Sequence, residues 1–172
     1  MELKQVVFKE LRFEHKAALL WADQAKERAY CPYSGFYVGA CLIGLDGGLV
    51  SGANFESASY GLTVCAERCA VFNANIIGMR QFQGVAIIAR GKSFDTKEVT
   101  GPCGACRQIL YEVSQLSGRD LDIVLSTTQK DKIIVTSINE LLPLGFGPLD
   151  PNVNLEEWKK SDLNINFEAW KK

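Results

Sequence analysis

Cysteine is the chemically conspicuous residue of this chain, which has six cysteines and a single histidine. Cys103-Gly104-Ala105-Cys106 has the spacing by which one loop grips a metal ion with two thiolates. The same spacing serves redox pairs. A second block, Cys65-Ala66-Glu67-Arg68-Cys69, supplies more sulfur. The lone histidine, His15, lies far upstream and reads as a partly exposed helix residue. Any zinc site is therefore rich in sulfur. Two arrangements compete. In one, Cys65, Cys103 and Cys106 bind the ion and leave a fourth position for water. In the other, Cys69, which shares a helix face with Cys65, closes a four-cysteine structural site. Glu67 favours the open arrangement. It lies two residues after a ligand, where its carboxylate can take a proton from a water that zinc has made acidic. A closed site has no use for that group. Arg68 has its own argument: a guanidinium donating to thiolate sulfur offsets the negative charge of three thiolates. A surface salt bridge is the other reading for Arg68, and the same two readings hold for Arg107.

These residues need elements to hold them. Apolar residues at helical spacing predict a first helix from Phe13 to Ala29, closed by Cys31-Pro32. Phe36 to Leu45, the turn Asp46-Gly47-Gly48 and Leu49-Val50 read as a hairpin. Thr63 can cap a helix from Val64 to Ile77, with Gly78 as its stop. The apolar run Val85 to Ala89 predicts a strand buried on both faces. Pro102 can open a helix to Leu116, and free N–H groups at such helix starts favour thiolates. Leu121–Leu125 and Ile133–Val135 are short strands, and Ile138–Leu142 is one helical turn stopped by Pro143. The order predicts a three-layer α/β/α domain with a mixed sheet of about five strands.

The 172 residues favour one domain. A net charge of −1 gives no broad basic surface for nucleic acid. No apolar run reaches the roughly 18 residues of a membrane span. Met1 to Glu14 lacks the apolar core of a secretory signal, so the expected location is the cytoplasm, where thiols stay reduced. The domain is expected over residues 1–150, with 151–172 as a C-terminal extension. In that extension, Asn152-Val153-Asn154-Leu155-Glu156-Glu157-Trp158-Lys159-Lys160 is echoed by Asn164-Ile165-Asn166-Phe167-Glu168-Ala169-Trp170-Lys171-Lys172. Two copies are too few for a solenoid, so the expectation is an appended segment whose Trp residues dock on the body.

Cys65-Ala66-Glu67 followed by Pro102-Cys103-x-x-Cys106 resembles the zinc-deaminase signature, with Cys in place of the more widespread His. Around it stand Tyr30-Cys31-Pro32-Tyr33-Ser34, Phe36-x-Val38-Gly39-Ala40, Asn54-x-Glu56-x-Ala58-Ser59-Tyr60-Gly61-Leu62, Arg107-Gln108 and Leu141-Leu142-Pro143-x-x-Phe146-Gly147-Pro148. From Leu20 to Asp150 the chain is similar to the small homotetrameric cytidine deaminases. The resemblance implies one zinc ion per subunit and hydrolysis of cytidine and deoxycytidine, in pyrimidine salvage. It implies ribose contacts from Asn54 and Glu56, packing of Phe36 on the pyrimidine, and a backbone N–H at Ala66 for the base carbonyl. Tyr60 and Phe146 would reach the site from neighbouring subunits, and Tyr33 would lie at subunit contacts. Cys69 departs from the pattern, which usually has Thr or another small residue there. Cys31 and Cys41 read as small core residues. The rival readings are a deaminase of another cytosine-containing substrate, polynucleotides included, and a zinc-stabilised module without activity.

Overall fold

The computed structural model describes residues 4–159. Ten elements follow in chain order: β1 Lys4–Val6, α1 Phe13–Lys26, β2 Phe36–Gly44, β3 Leu49–Ala53, α2 Ala66–Ile76, β4 Phe82–Gly91, α3 Gly104–Ser117, β5 Asp122–Ser126, β6 Ile133–Ser137 and α4 Ile138–Leu141. The sheet has six strands in the order β1-β6-β5-β4-β2-β3. That is one more than the sequence predicts. The extra strand, β1, is three residues that pair antiparallel with β6 (Gln5 opposite Ile134). Only β4 and β5 run parallel, and α3 is the crossover between them.

The sheet is covered on both sides because alternate strand residues face opposite ways. Ala40 and Leu42 of β2 meet Ala66, Ala70 and Ala74 of α2 and Leu110 of α3 in one cluster. Their neighbours Cys41 and Ile43 meet Ala18, Leu19 and Ala22 of α1 in the other. Central β4 feeds both clusters, with Val85 and Ile87 on one side and Ala86 and Ile88 on the other. This is why its sequence is apolar without alternation. Two glycines set how closely the layers approach. A Cβ at Gly39 would lie 1.9 Å from the Ala22 carbonyl oxygen, and one at Gly52 would lie 2.3 Å from the Ala70 nitrogen. Each helix therefore packs its backbone directly on the sheet.

The predicted elements are present with shifted ends. Helix α1 stops at Lys26, because Arg28 and Ala29 bond to Ala25 and Lys26 in tighter three-residue turns (2.9 and 3.1 Å). Helix α2 begins after Cys65, not after Thr63, whose hydroxyl accepts from the Ser57 N–H instead (3.2 Å). The largest correction concerns His15. It is 4% exposed, and its Nε2 lies 3.2 Å from Oδ2 of Asp122, which also receives Arg12. Its partner is distant in sequence, so local periodicity places the helix but not the burial.

The chain after α4 folds back along α3. Leu149 N–H donates to Gln115 Oε1 (2.9 Å), and Arg80 Nη1 donates to the Trp158 carbonyl (3.2 Å). Trp158 thus lies against the body, at the end of α2. Trp170 and the second copy of the repeat lie outside the described residues.

Candidate metal centre and active site

Two helix starts meet at the site. Cys65 is the N-cap residue of α2, Cys103 the N-cap residue of α3, and Cys106 lies in the first turn of α3. Gly52 lets α2 sit close on β3, and α3 is tied to the sheet as the β4–β5 crossover. The sulfurs of Cys65, Cys103 and Cys106 all lie within 4.8 Å of one another, with Cys65 Sγ 3.8 Å from Cys103 Sγ. Cys69 is outside this group, and its thiol points to the Val64 carbonyl at 3.9 Å. The four-cysteine arrangement is therefore not the one formed. One turn along α2, the Cys69 thiol is taken up by the backbone instead of the cluster.

The environment shifts two of the sulfurs in opposite directions. A hydrogen bond from Cys106 holds the Cys65 thiol well below the ordinary thiol range, with Arg68 and Cys103 adding to it against the cost of burial. The same bond pushes Cys106 up, and burial adds to that. Arg68 Nη2 donates to the Thr63 carbonyl (2.9 Å) and to Cys65 Sγ (3.9 Å). This is the guanidinium-to-sulfur contact expected of it. Arg107 does something else: it donates to the carbonyls of Pro102 (2.9 Å) and Leu141 (3.1 Å) and so pins the loop that carries Cys103.

Glu67 is the second residue of α2 and is 4% exposed. Burial pushes its carboxyl above the ordinary carboxylate range, and the Cys65 thiolate adds to that shift. The Cys106 thiol bonds to it, which puts the carboxyl at the cluster. A buried carboxyl beside three sulfurs, with its pKa raised above the ordinary carboxylate range, is suited to move protons. Three soft sulfur donors at two helix N-termini fit zinc.

Comparisons with known proteins agree with this geometry. Residues 13–116 match the family model described as the cytidine and deoxycytidylate deaminase zinc-binding region. The chain belongs to the zinc-dependent cytidine deaminases. It is 47% identical to the cytidine deaminase of Halalkalibacterium halodurans over 131 residues, 76% of this chain and 92% of that one. It is 40% identical to the Sporosarcina psychrophila cytidine deaminase over 136 residues, 79% of this chain and 93% of that one. Its fold is similar to the cytidine deaminase structure from Burkholderia pseudomallei, with a TM-score of 0.68 and 42% identity over 77% of this chain and 98% of that one. The Mycobacterium tuberculosis cytidine deaminase structure gives a TM-score of 0.60 and 33% identity over 76% of this chain and 95% of that one. The matched family region spans Cys65, Glu67, Cys103 and Cys106, and these cysteines are the zinc site.

The remaining residues singled out from the sequence fall into two groups. Asn54 and Glu56 are buried just after β3, and Phe55 between them pairs with Val64, next to Cys65. Asn54 Oδ1 accepts from the Val38 N–H (2.8 Å), and its Nδ2 donates to the Phe36 carbonyl (3.0 Å). Glu56 accepts from the N–H groups of Tyr33 (3.0 Å) and Ser34 (3.2 Å) and from the Ser34 hydroxyl. Those bonds, the hydroxyl first, hold its carboxyl below the ordinary range. Tyr60 and Phe146, by contrast, are 73% and 68% exposed. The Tyr60 ring meets Tyr33 edge-on at 5.6 Å, and the Phe146 carbonyl accepts from Gln108 Nε2 at 2.7 Å. Sequence reasoning gave no role to Ser34 or Gln108. Each lies in a motif quoted for the resemblance, and that membership was the available signal.

Proposed function

We propose that this chain hydrolyses cytidine and deoxycytidine to uridine and deoxyuridine with release of ammonia, in pyrimidine salvage. The observation that carries the reading is Glu67: a buried carboxyl with a raised pKa against three convergent sulfurs. Zinc held by Cys65, Cys103 and Cys106 supplies the Lewis acid that makes a water acidic near neutral pH. Glu67 takes the proton of that water and passes it to the ring nitrogen beside the reacting carbon. The oxygen adds to that carbon. Glu67 then takes the remaining proton from the added hydroxyl and delivers it to the departing amino group, so one carboxyl is base and acid in turn. Water enters and ammonia leaves.

The Ala66 N–H, at the start of α2, meets the base carbonyl, and Phe36 packs on the pyrimidine. Asn54 and Glu56 take the ribose hydroxyls. Their backbone bonds leave Asn54 an N–H and Glu56 lone pairs to give. Ser34 fixes the angle at which Glu56 does so. Tyr60 and Phe146 act on the site of a neighbouring subunit in a homotetramer. Support for that assembly is the amount of apolar surface one chain leaves open, with Phe13, Tyr60, Leu62, Ile76 and Phe146 each at least 68% exposed. Residues 1–150 form the catalytic domain and 151–172 the appended segment. Cytoplasmic location suits the chemistry, since all six cysteines are free and the site needs thiolates. Among the described residues no helix is long and apolar enough to cross a membrane.

The direct test mixes pure zinc-loaded protein with cytidine and follows the ultraviolet change on conversion to uridine. Turnover with stoichiometric ammonia is expected. Absence of turnover in zinc-loaded, folded tetramer would overturn the assignment.

A further inference from the structure

Phe146 can act on a neighbouring subunit only if its own chain holds it still. Its loop runs from the end of α4 to the turn at Gly147. Leu144 takes left-handed backbone, φ +58°, which a leucine adopts at a cost. Leu144 and Phe146 both put their side chains in solvent, so burial of those side chains does not fix the segment. Its ends are fixed. Before it, Arg107 Nη1 donates to the Leu141 carbonyl (3.1 Å). After it, the Gly147 N–H donates to Asp150 Oδ2 (2.7 Å) and the Leu149 N–H to Gln115 Oε1 (2.9 Å). Gly147 lies so close to Gln115 that a Cβ there would meet Oε1 at 2.5 Å. Between these ends, among the described residues, Leu144, Gly145 and Phe146 make one hydrogen bond. It runs from Gln108 Nε2 to the Phe146 carbonyl, at 2.7 Å.

Helix α3 supplies that bond from the side turned away from its cysteine. At 3.6 residues per turn, two residues are about 200° apart around a helix. Cys106 is fully buried and joins the metal cluster, and Gln108, two residues on, is exposed. Gln115 is seven residues further and shares the Gln108 face. The two glutamines therefore hold successive parts of the returning chain along one line of the helix.

We infer that Gln108 is a positioning residue: its amide sets where Phe146 stands, and through Phe146 it governs nucleoside binding in the neighbouring subunit. The inference rests on the proposed cross-subunit role of Phe146. One helix then serves two sites. Its first turn carries a zinc cysteine of its own chain, and its second turn steers the substrate pocket of the next.

The test uses full-length, zinc-loaded protein and cytidine. Gln108→Met removes the donor and keeps the length and helix preference of the side chain. Zinc content and tetramer mass should stay at wild-type values. KM should rise about three- to tenfold, the worth of one hydrogen bond, with kcat little changed. Phe146→Ala should raise KM at least as much. Adding Gln108→Met to it should change nothing more, because the amide then has no ring to place. Hybrid tetramers locate the effect. Wild-type chains are assembled with chains carrying both Glu67→Gln and Gln108→Met, so every working Glu67 belongs to a wild-type chain. These hybrids should show a higher KM than hybrids made with Glu67→Gln alone. Equal KM in the two hybrids, additive effects in the double variant, or wild-type KM in Gln108→Met beside a raised KM in Phe146→Ala would overturn the proposal. So would loss of zinc or of the tetramer in Gln108→Met, which would make the residue structural. Wild-type KM in Phe146→Ala would instead overturn the cross-subunit reading itself, and the proposal with it.

Discussion

Carboxyls on the two faces of the sheet, half-buried on one and buried on the other, are treated in opposite ways. On the α1 face, Asp122 receives His15 and Arg12, and Asp23 receives Lys26 and Lys130. The His15 hydrogen bond is the largest influence on Asp122 and holds its carboxyl below the ordinary range. For Asp23 burial is the largest single influence and works upward, but the two lysines together outweigh it. On the α2–α3 face, Glu67 has burial and a thiolate beside it, and its pKa goes up. Burial is common to both faces, so burial does not decide the direction. The partners decide it. At the two aspartates the basic partners outweigh burial, whereas at Glu67 burial and the Cys65 thiolate outweigh Arg68 and the Cys106 bond.

The largest effect that sharpens this contrast is on turnover. Glu67→Gln should lower kcat by about 10²–10⁴ or more, with zinc content unchanged. A carboxyl held above its ordinary value costs stability as pH rises past that value. The variant should therefore melt no lower than wild type at about pH 7.5. Calorimetry beside the ultraviolet assay checks both halves, and near-wild-type turnover would break the contrast.

Next comes the metal. Cys106→Ala should lose zinc, whereas Cys69→Ala should keep it, as read by metal analysis of the purified proteins. Loss of zinc from Cys69→Ala would restore the closed four-cysteine site.

A matched pair of glycines compares the faces directly. Gly39→Ala and Gly52→Ala each force a helix off the sheet and should cost about 1–3 kcal/mol in denaturant unfolding. Gly52→Ala moves α2, with Cys65 and Glu67 at its start, so activity per folded molecule should fall as well. Gly39→Ala moves α1 and should leave that activity near wild type.

The smallest effect is electrostatic. Asp122→Asn should cost about 1–2 kcal/mol at about pH 6, because His15 and Arg12 lose their charged partner. A depressed carboxyl stabilises above its unfolded value, near pH 4, and loses that contribution as pH falls through the lower folded value. The gap between variant and wild type should therefore close below about pH 4. A gap constant down to about pH 2 would mean that the pair is not ionic.

The sequence was legible where chemistry is local. Thiols two residues apart in Cys103-x-x-Cys106, the turn at Asp46-Gly47-Gly48 and the apolar run of β4 are each visible within a short window. Gly47 has φ +85°, the left-handed backbone that the hairpin reading requires. Residues with distant partners were not legible. Strand β1 is three residues long and exists because β6 offers an edge. His15 is buried because Asp122, 107 residues away, meets it. Ser34 has a role because Glu56, 22 residues on, folds back to it.

By itself, the sequence determined which atoms could do the chemistry: four candidate thiols, a carboxyl two residues after one of them, and the helix starts that favour thiolates. That information is carried by residue type and short spacing, which folding does not alter. Only the tertiary structure decided which cysteines converge. Cys69 is nearer in sequence to Cys103 than Cys65 is, but α2 points the Cys65 sulfur at α3 and the Cys69 sulfur at its own backbone. It also decided the carboxyl directions, because a pKa is set by the charges and solvent around a group.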